Sequence, residues 1–201
     1  MAKAGLSVER LAEGGAALAD EIGFEQLTGA ALARRFDVRL ASLYSHVKSL
    51  DALKSQIALL ALQQLADATT QAMAGRAGKE ALWALADAHR DYACRHPGRF
   101  AAARHPLPPE LAAASAGPRL AQLMRAVLHG YALPETEQVH AIRFLGSLLM
   151  GYVTLELASG FAHSAPDAQI SWRRSLEALH VALVHWPAAP DAPPEAKKAP
   201  R

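Results

Sequence analysis

Forty-five of the 201 residues are alanine, and β-branched side chains are scarce. Alanine is the residue a helix accommodates most easily, whereas strands favour β-branched and aromatic side chains. An all-α fold is therefore expected. The chain is 51% hydrophobic and 20% charged, which excludes a disordered polymer and lets a chain of this length bury a core unaided. Its only cysteine, Cys94, excludes a disulfide framework and a cysteine-based zinc finger. Lys and Arg (21) nearly balance Asp and Glu (19), so nucleic-acid binding would have to come from a local patch. No apolar run approaches the about 18 residues of a membrane span. The start of the chain, with Lys3, Gly5, Glu9 and Arg10, lacks a hydrophobic signal core. A cytoplasmic protein is expected, with no membrane partner.

Apolar spacing predicts a helix from Ser7 to Ile22, with Ser7 as its cap. Phe24 and Leu27 follow as core anchors. Thr28 then caps a short helix to Phe36, and Asp37-Val38 reads as a tight turn, since aspartate tolerates left-handed backbone. A second short helix runs from Leu40 to His46. A longer one, capped by Ser49, carries Leu50, Leu53, Ile57 and Leu60 on one face. Composition breaks from Gly75 to Gly78, marking a boundary. Lys79 to His96 reads as a helix stopped by His96-Pro97-Gly98. A proline-punctuated stretch follows, then helices over about 119–131, 136–159 and 170–185. The tail from Pro187 holds 5 prolines in 15 residues and reads as disordered.

A short helix, a tight turn and a second short helix form a helix-turn-helix, whose second helix fits a DNA major groove about 12 Å wide. From Leu27 to Lys54 the cations Arg34, Arg35, Arg39, Lys48 and Lys54 face only Asp37 and Asp51, a local +3. The run Leu27-Thr28, Leu32-Ala33, Phe36-Asp37-Val38 and Leu43-Tyr44-x-His46-Val47-Lys48 resembles the DNA-binding domain of the TetR family of bacterial regulators over about Val8 to Leu60. The His96-Pro97-Gly98-Arg99-Phe100 run is similar to the C-terminal domain type called WHG. The resemblance implies phosphate contacts from Thr28, Tyr44 and Lys48, with His46 near the backbone. It implies that Arg39, Leu40, Ala41 and Ser42 face base edges. Two departures stand out: the family usually has glycine where Asp37 stands, and often Ser or Thr where Arg39 stands.

These readings divide the chain into a helix-turn-helix DNA-binding domain (1–54), a larger helical ligand-binding and dimerisation domain (55–186) and a tail (187–201). The helix near 136–159 is apolar almost all round and the last helix nearly so, which predicts a homodimer through both segments, 136–159 and 170–185. Trp83, His89, Tyr92, Phe100, Met124, His129 and Phe144 combine apolar bulk with polar tips and are candidate ligand contacts. The expected function is a ligand-responsive regulator, a repressor that binds a near-palindromic operator in double-stranded DNA and is released by a small-molecule effector. No catalytic, metal or cofactor site is expected. His89-Arg90-Asp91 echoes a kinase catalytic loop without its companions, no histidine pair has i,i+4 spacing, and Cys94 reads as a buried thiol.

Overall fold

Hydroxyl side chains start three of the N-terminal helices in the computed structural model, which describes residues 6–187. Ser7 Oγ accepts the Arg10 N–H at 3.3 Å, Thr28 Oγ1 that of Ala31 at 3.1 Å, and Ser49 Oγ that of Ala52 at 3.0 Å. Each satisfies a backbone donor that the first helical turn leaves without a partner. The helices they open are α1 (Val8–Ile22), α2 (Gly29–Arg35) and α4 (Leu50–Met73), with α3 (Leu40–Tyr44) between the last two.

The turn from α2 to α3 closes as a Schellman motif. Asp37 adopts φ +53°. Its N–H reaches Arg34 O at 3.2 Å, and the Val38 N–H reaches Ala33 O at 3.0 Å. The left-handed residue is thus the aspartate, which bears this backbone better than most side chains.

The remaining helices are α5 (Gly78–Arg95), α6 (Pro97–Ala102), α7 (Pro109–Ala114), α8 (Gly117–Leu128), α9 (Gln138–Leu157) and α10 (Ala168–Val184). Among the described residues there is no strand. The expected tail lies, beyond Pro187, outside the described residues. One element departs from the sequence reading: His96-Pro97-Gly98 does not only stop a helix but starts the next. His96 breaks the chain direction at φ −136° and ψ 63°, and Pro97 takes the first helical position, where its missing N–H costs nothing.

Three apolar clusters result. The first joins α1 to α4 around Leu11, Leu32, Leu43, Leu53 and Ile57, and takes in Ala102 from α6. The second joins α5, α8, α9 and α10 around Trp172, whose indole N–H donates to Asp87 Oδ1 at 2.8 Å. The third lies between them and collects Leu65, Tyr92, Phe100, Leu120 and Val153. Helix α4, 24 residues and about 36 Å long, lends its first half to the first cluster and later residues to the third. Cys94 is exposed rather than buried. The inward face of α5 runs through Leu85, His89, Tyr92 and Ala93, and one further residue turns the side chain out.

Candidate nucleic-acid interface and inner cavity

Helix α3 is held from beneath by Leu43, fully buried, and Val47, nearly so. The rest of the segment faces outward. Arg39, Ala41, Ser42, His46 and Lys48 are exposed. Leu40 is 45% and Tyr44 42% exposed. Thr28 is exposed at the start of α2, with its oxygen engaged by Ala31 N–H and its own proton free to donate. Gly29 lets the two helices meet: a Cβ there would lie 2.7 Å from Tyr44 Oη and 3.0 Å from Leu40 Cδ1. The Tyr44 hydroxyl thus lies against the first residue of α2. All eight residues expected at the groove share this end of the molecule.

The local positive charge is thinner than the sequence count. Arg35 is paired to Glu21 at 2.7 Å and Lys54 approaches Glu25 at 3.7 Å. Arg34, Arg39 and Lys48 have no ion pair among the described residues, and the latter two flank α3. Arg39 occupies the N-cap position of α3 without capping it, so its guanidinium stays available.

Helix α6 joins this part to the rest. Gly98 sits against the last turn of α1 so closely that a Cβ would lie 2.0 Å from Ala19 O. Beside it the Asp20 carboxylate accepts the Arg99 backbone N–H at 2.9 Å, faces Arg99 Nε at 3.0 Å and meets His96 Nδ1 at 3.2 Å. Gln64 Oε1 on α4 accepts from the Tyr92 hydroxyl at 3.2 Å and from Arg99 Nη1 at 3.3 Å. Four helices are thus tied at one point. Sequence reasoning missed this junction, although proline after a helix break followed by a run of alanines is a helix-start signal.

The opposite side of α6 forms part of a cavity of about 150 Å³. Its walls come from α4 (Leu62, Leu65), α5 (His89), α6 (Phe100), α8 (Leu120, Met124) and α9 (Leu149, Met150), and Arg104 lies at its edge. Of the seven candidate ligand contacts, His89, Phe100 and Met124 line it. The other four are placed elsewhere. Tyr92 is buried next to Phe100, with its hydroxyl turned to Ala61 O and Gln64. Trp83 lines an open groove between α4 and α5. His129 is exposed at the end of α8, and Phe144 faces out from α9 beside Trp186. Leu62, Leu65, Leu120, Leu149 and Met150 carry no sequence signal of their own, because an aliphatic cavity wall and an ordinary core have the same periodicity.

Among the described residues, His89 is the one strongly buried titratable group that lines this cavity. Its Nδ1 lies 2.9 Å from Leu85 O. Burial pushes its pKa below the usual 6.5, against the weaker raising effect of that carbonyl. The unfolded chain therefore binds a proton more readily than the folded one. Stability is full above the unfolded pKa and declines as pH falls below it. The thermal midpoint should drop between about pH 7 and pH 5, and His89→Gln should flatten that slope. A slope unchanged in the variant would mean that other groups set the acid limit.

Among the described residues no three His, Cys, Asp or Glu side chains come together to hold a metal ion. No described helix is long and apolar enough to cross a membrane.

Residues 82–179 match the family described as tetracyclin repressor-like, C-terminal domain. The chain is 36% identical over 156 residues to the HTH-type transcriptional regulator Rv0681 of Mycobacterium tuberculosis, covering 76% of this chain and 71% of that one. It is 31% identical over 160 residues to the HTH-type transcriptional regulator YobS of Bacillus subtilis, covering 78% and 82%. Its fold resembles that of a TetR variant of Acinetobacter baumannii crystallised with minocycline, with a TM-score of 0.65 at 20% identity over 88% of this chain and 96% of that one. Helix-turn-helix, matched C-terminal domain and relatives agree: the chain belongs to the TetR family of transcriptional regulators.

Proposed function

We propose that the protein is a homodimeric repressor in the cytoplasm that binds a near-palindromic operator in double-stranded DNA and releases it when a small molecule fills the inner cavity. The observation that carries this reading is the α3 face. A short helix buries Leu43 and leaves Arg39, Leu40, Ala41, Ser42 and Tyr44 outward, with unpaired Arg39 and Lys48 at its two ends. Arg39 can read a guanine edge bidentately, Leu40 and Ala41 can pack on a thymine methyl, and Ser42 can bond either way. Thr28, Tyr44 and Lys48 serve as phosphate contacts around that helix, with His46 near the backbone, and such contacts set register without reading sequence.

Dimerisation is supported by a stripe on α9 and α10. Phe144, Leu155, Ile170, Val181 and Val184 are exposed, and Ser147 and Gly151 lie between the first two on the same face. The small residues let a partner helix approach, and two helices from each protomer make a four-helix contact about a two-fold axis. That axis sets two α3 helices on successive turns of one DNA face. Release is supported by α6, which touches the cavity through Phe100 and α1 through Gly98. A ligand that prefers one setting of α6 shifts the population between two spacings of the DNA-reading helices.

Selection of bound genomic fragments by the wild type, beside Tyr44→Ala/Lys48→Ala, tests the reading. One near-palindromic site should be enriched and then lost in the double variant. On that site Lys48→Ala should weaken binding to all sequences alike and reduce the salt slope by about 1. Arg39→Ala should relax preference at one base pair per half-site, by about 1–3 kcal/mol. Wild-type affinity in both single variants above about 0.15 M salt would refute these assignments.

A further inference from the structure

The cavity's chemistry specifies more than its position. About 150 Å³ enclosed by Leu62, Leu65, Leu149 and other hydrocarbon is room for one six-membered ring. Two polar groups reach it. The first is His89. A carbonyl oxygen only accepts, so the nitrogen 2.9 Å from Leu85 O carries the ring proton. The other nitrogen, Nε2, has no hydrogen-bond partner among the described residues, and as His89 lines the cavity it is the ring atom left to accept from a ligand. It calls for a ligand hydroxyl. The second is Arg104 at the edge. Its Nη1 touches only Phe100 O at 3.3 Å and Met150 Sδ at 3.4 Å, and its guanidinium lies 4.8 Å from the Phe100 ring centre. No carboxylate among the described residues pairs with it. An unneutralised guanidinium beside an apolar cavity calls for an anion, and its fork suits a carboxylate.

We propose that the effector is a monocyclic aromatic acid bearing a hydroxyl group, with the ring among the aliphatic walls, the hydroxyl donating to His89 Nε2 and the carboxylate paired with Arg104. This rests on the effector reading above and narrows it to one chemical class. The two polar groups act as separate selectors. An acid without the hydroxyl gives His89 Nε2 no donor, and a phenol without the carboxylate forgoes the charge-assisted bond to Arg104.

Calorimetric titration of the full chain without DNA tests this, so failure here is distinct from failure of operator binding. The probes are 3- and 4-hydroxybenzoate, benzoate, phenol and 1-hydroxy-2-naphthoate. One hydroxybenzoate isomer should bind about tenfold or more tighter than benzoate and than phenol, as each selector contributes one good polar contact. Arg104→Gln, an exposed substitution, should erase the advantage over phenol. His89→Phe should erase the advantage over benzoate, whereas His89→Gln, which keeps an acceptor, should retain it. Three outcomes overturn the proposal: no heat from either hydroxybenzoate at about 1 mM with the chain folded, equal affinity for the three monocyclic probe types, or preference for the bicyclic acid.

Discussion

Gly98→Ala is expected to lower the unfolding midpoint by roughly 6–12 °C and to weaken operator binding along with it. The added carbon would lie 2.0 Å from the carbonyl oxygen of Ala19, 2.1 Å from its carbonyl carbon and 2.5 Å from the Asp20 nitrogen. These are backbone atoms of the last turn of α1, so no rotamer change relieves the clash. Helix α6 must lift off α1. Overpacking of this kind costs about 3 kcal/mol, at the upper end of its usual range, because main chain rather than side chain has to move. Lifting also draws Arg99 away from Asp20, where a backbone N–H and a side-chain nitrogen now share one carboxylate. Differential scanning calorimetry measures the first effect and operator titration the second. A midpoint within about 2 °C of wild type would show that the two helices can separate at little cost.

The second large effect concerns the exposed apolar stripe. Leu155→Glu combined with Val181→Glu should halve the mass in solution and lower operator affinity by about a hundredfold or more, since a monomer loses the second half-site. Leu155 is 54% and Val181 49% exposed in the single chain, so the protomer fold should tolerate both charges. In a two-fold contact each glutamate would be set against the apolar stripe of the partner helices, and the pair appears twice. Sedimentation and thermal melting separate the outcomes. A folded monomer supports the stripe as the dimer contact, and a dimer that survives both substitutions places the contact elsewhere.

Much of the N-terminal region was legible because its determinants are local. Ser7, Thr28 and Ser49 cap the helices they precede, through bonds spanning three residues. Asp37 turns the chain with left-handed backbone that few other side chains accept. Leu43 and Val47 are buried and the residues around them exposed, as helical spacing requires. The α9 stripe was legible too, because a helix apolar on most faces must be covered on most faces. The cavity was only partly legible. His89, Phe100 and Met124 reach it, but Tyr92 and Trp83 satisfy the same description and point elsewhere. Arg104 carries no signal in the sequence, because only the tertiary structure brings it to the cavity.

What the sequence by itself determined is whatever acts within a few residues: alanine-driven helicity, hydroxyl caps, the aspartate turn, and the amphipathic spacing that turns α3's polar residues outward. Tertiary structure alone decided which distant segments meet. Asp20 and Arg99 are 79 residues apart in sequence, yet one carboxylate holds both α1 and α6. The cavity takes its walls from five helices between Leu62 and Met150. Helical periodicity assigns a side chain to a face, but all apolar faces look alike to it. Only the packing of the whole chain selects which face meets which, and where the fit leaves a space.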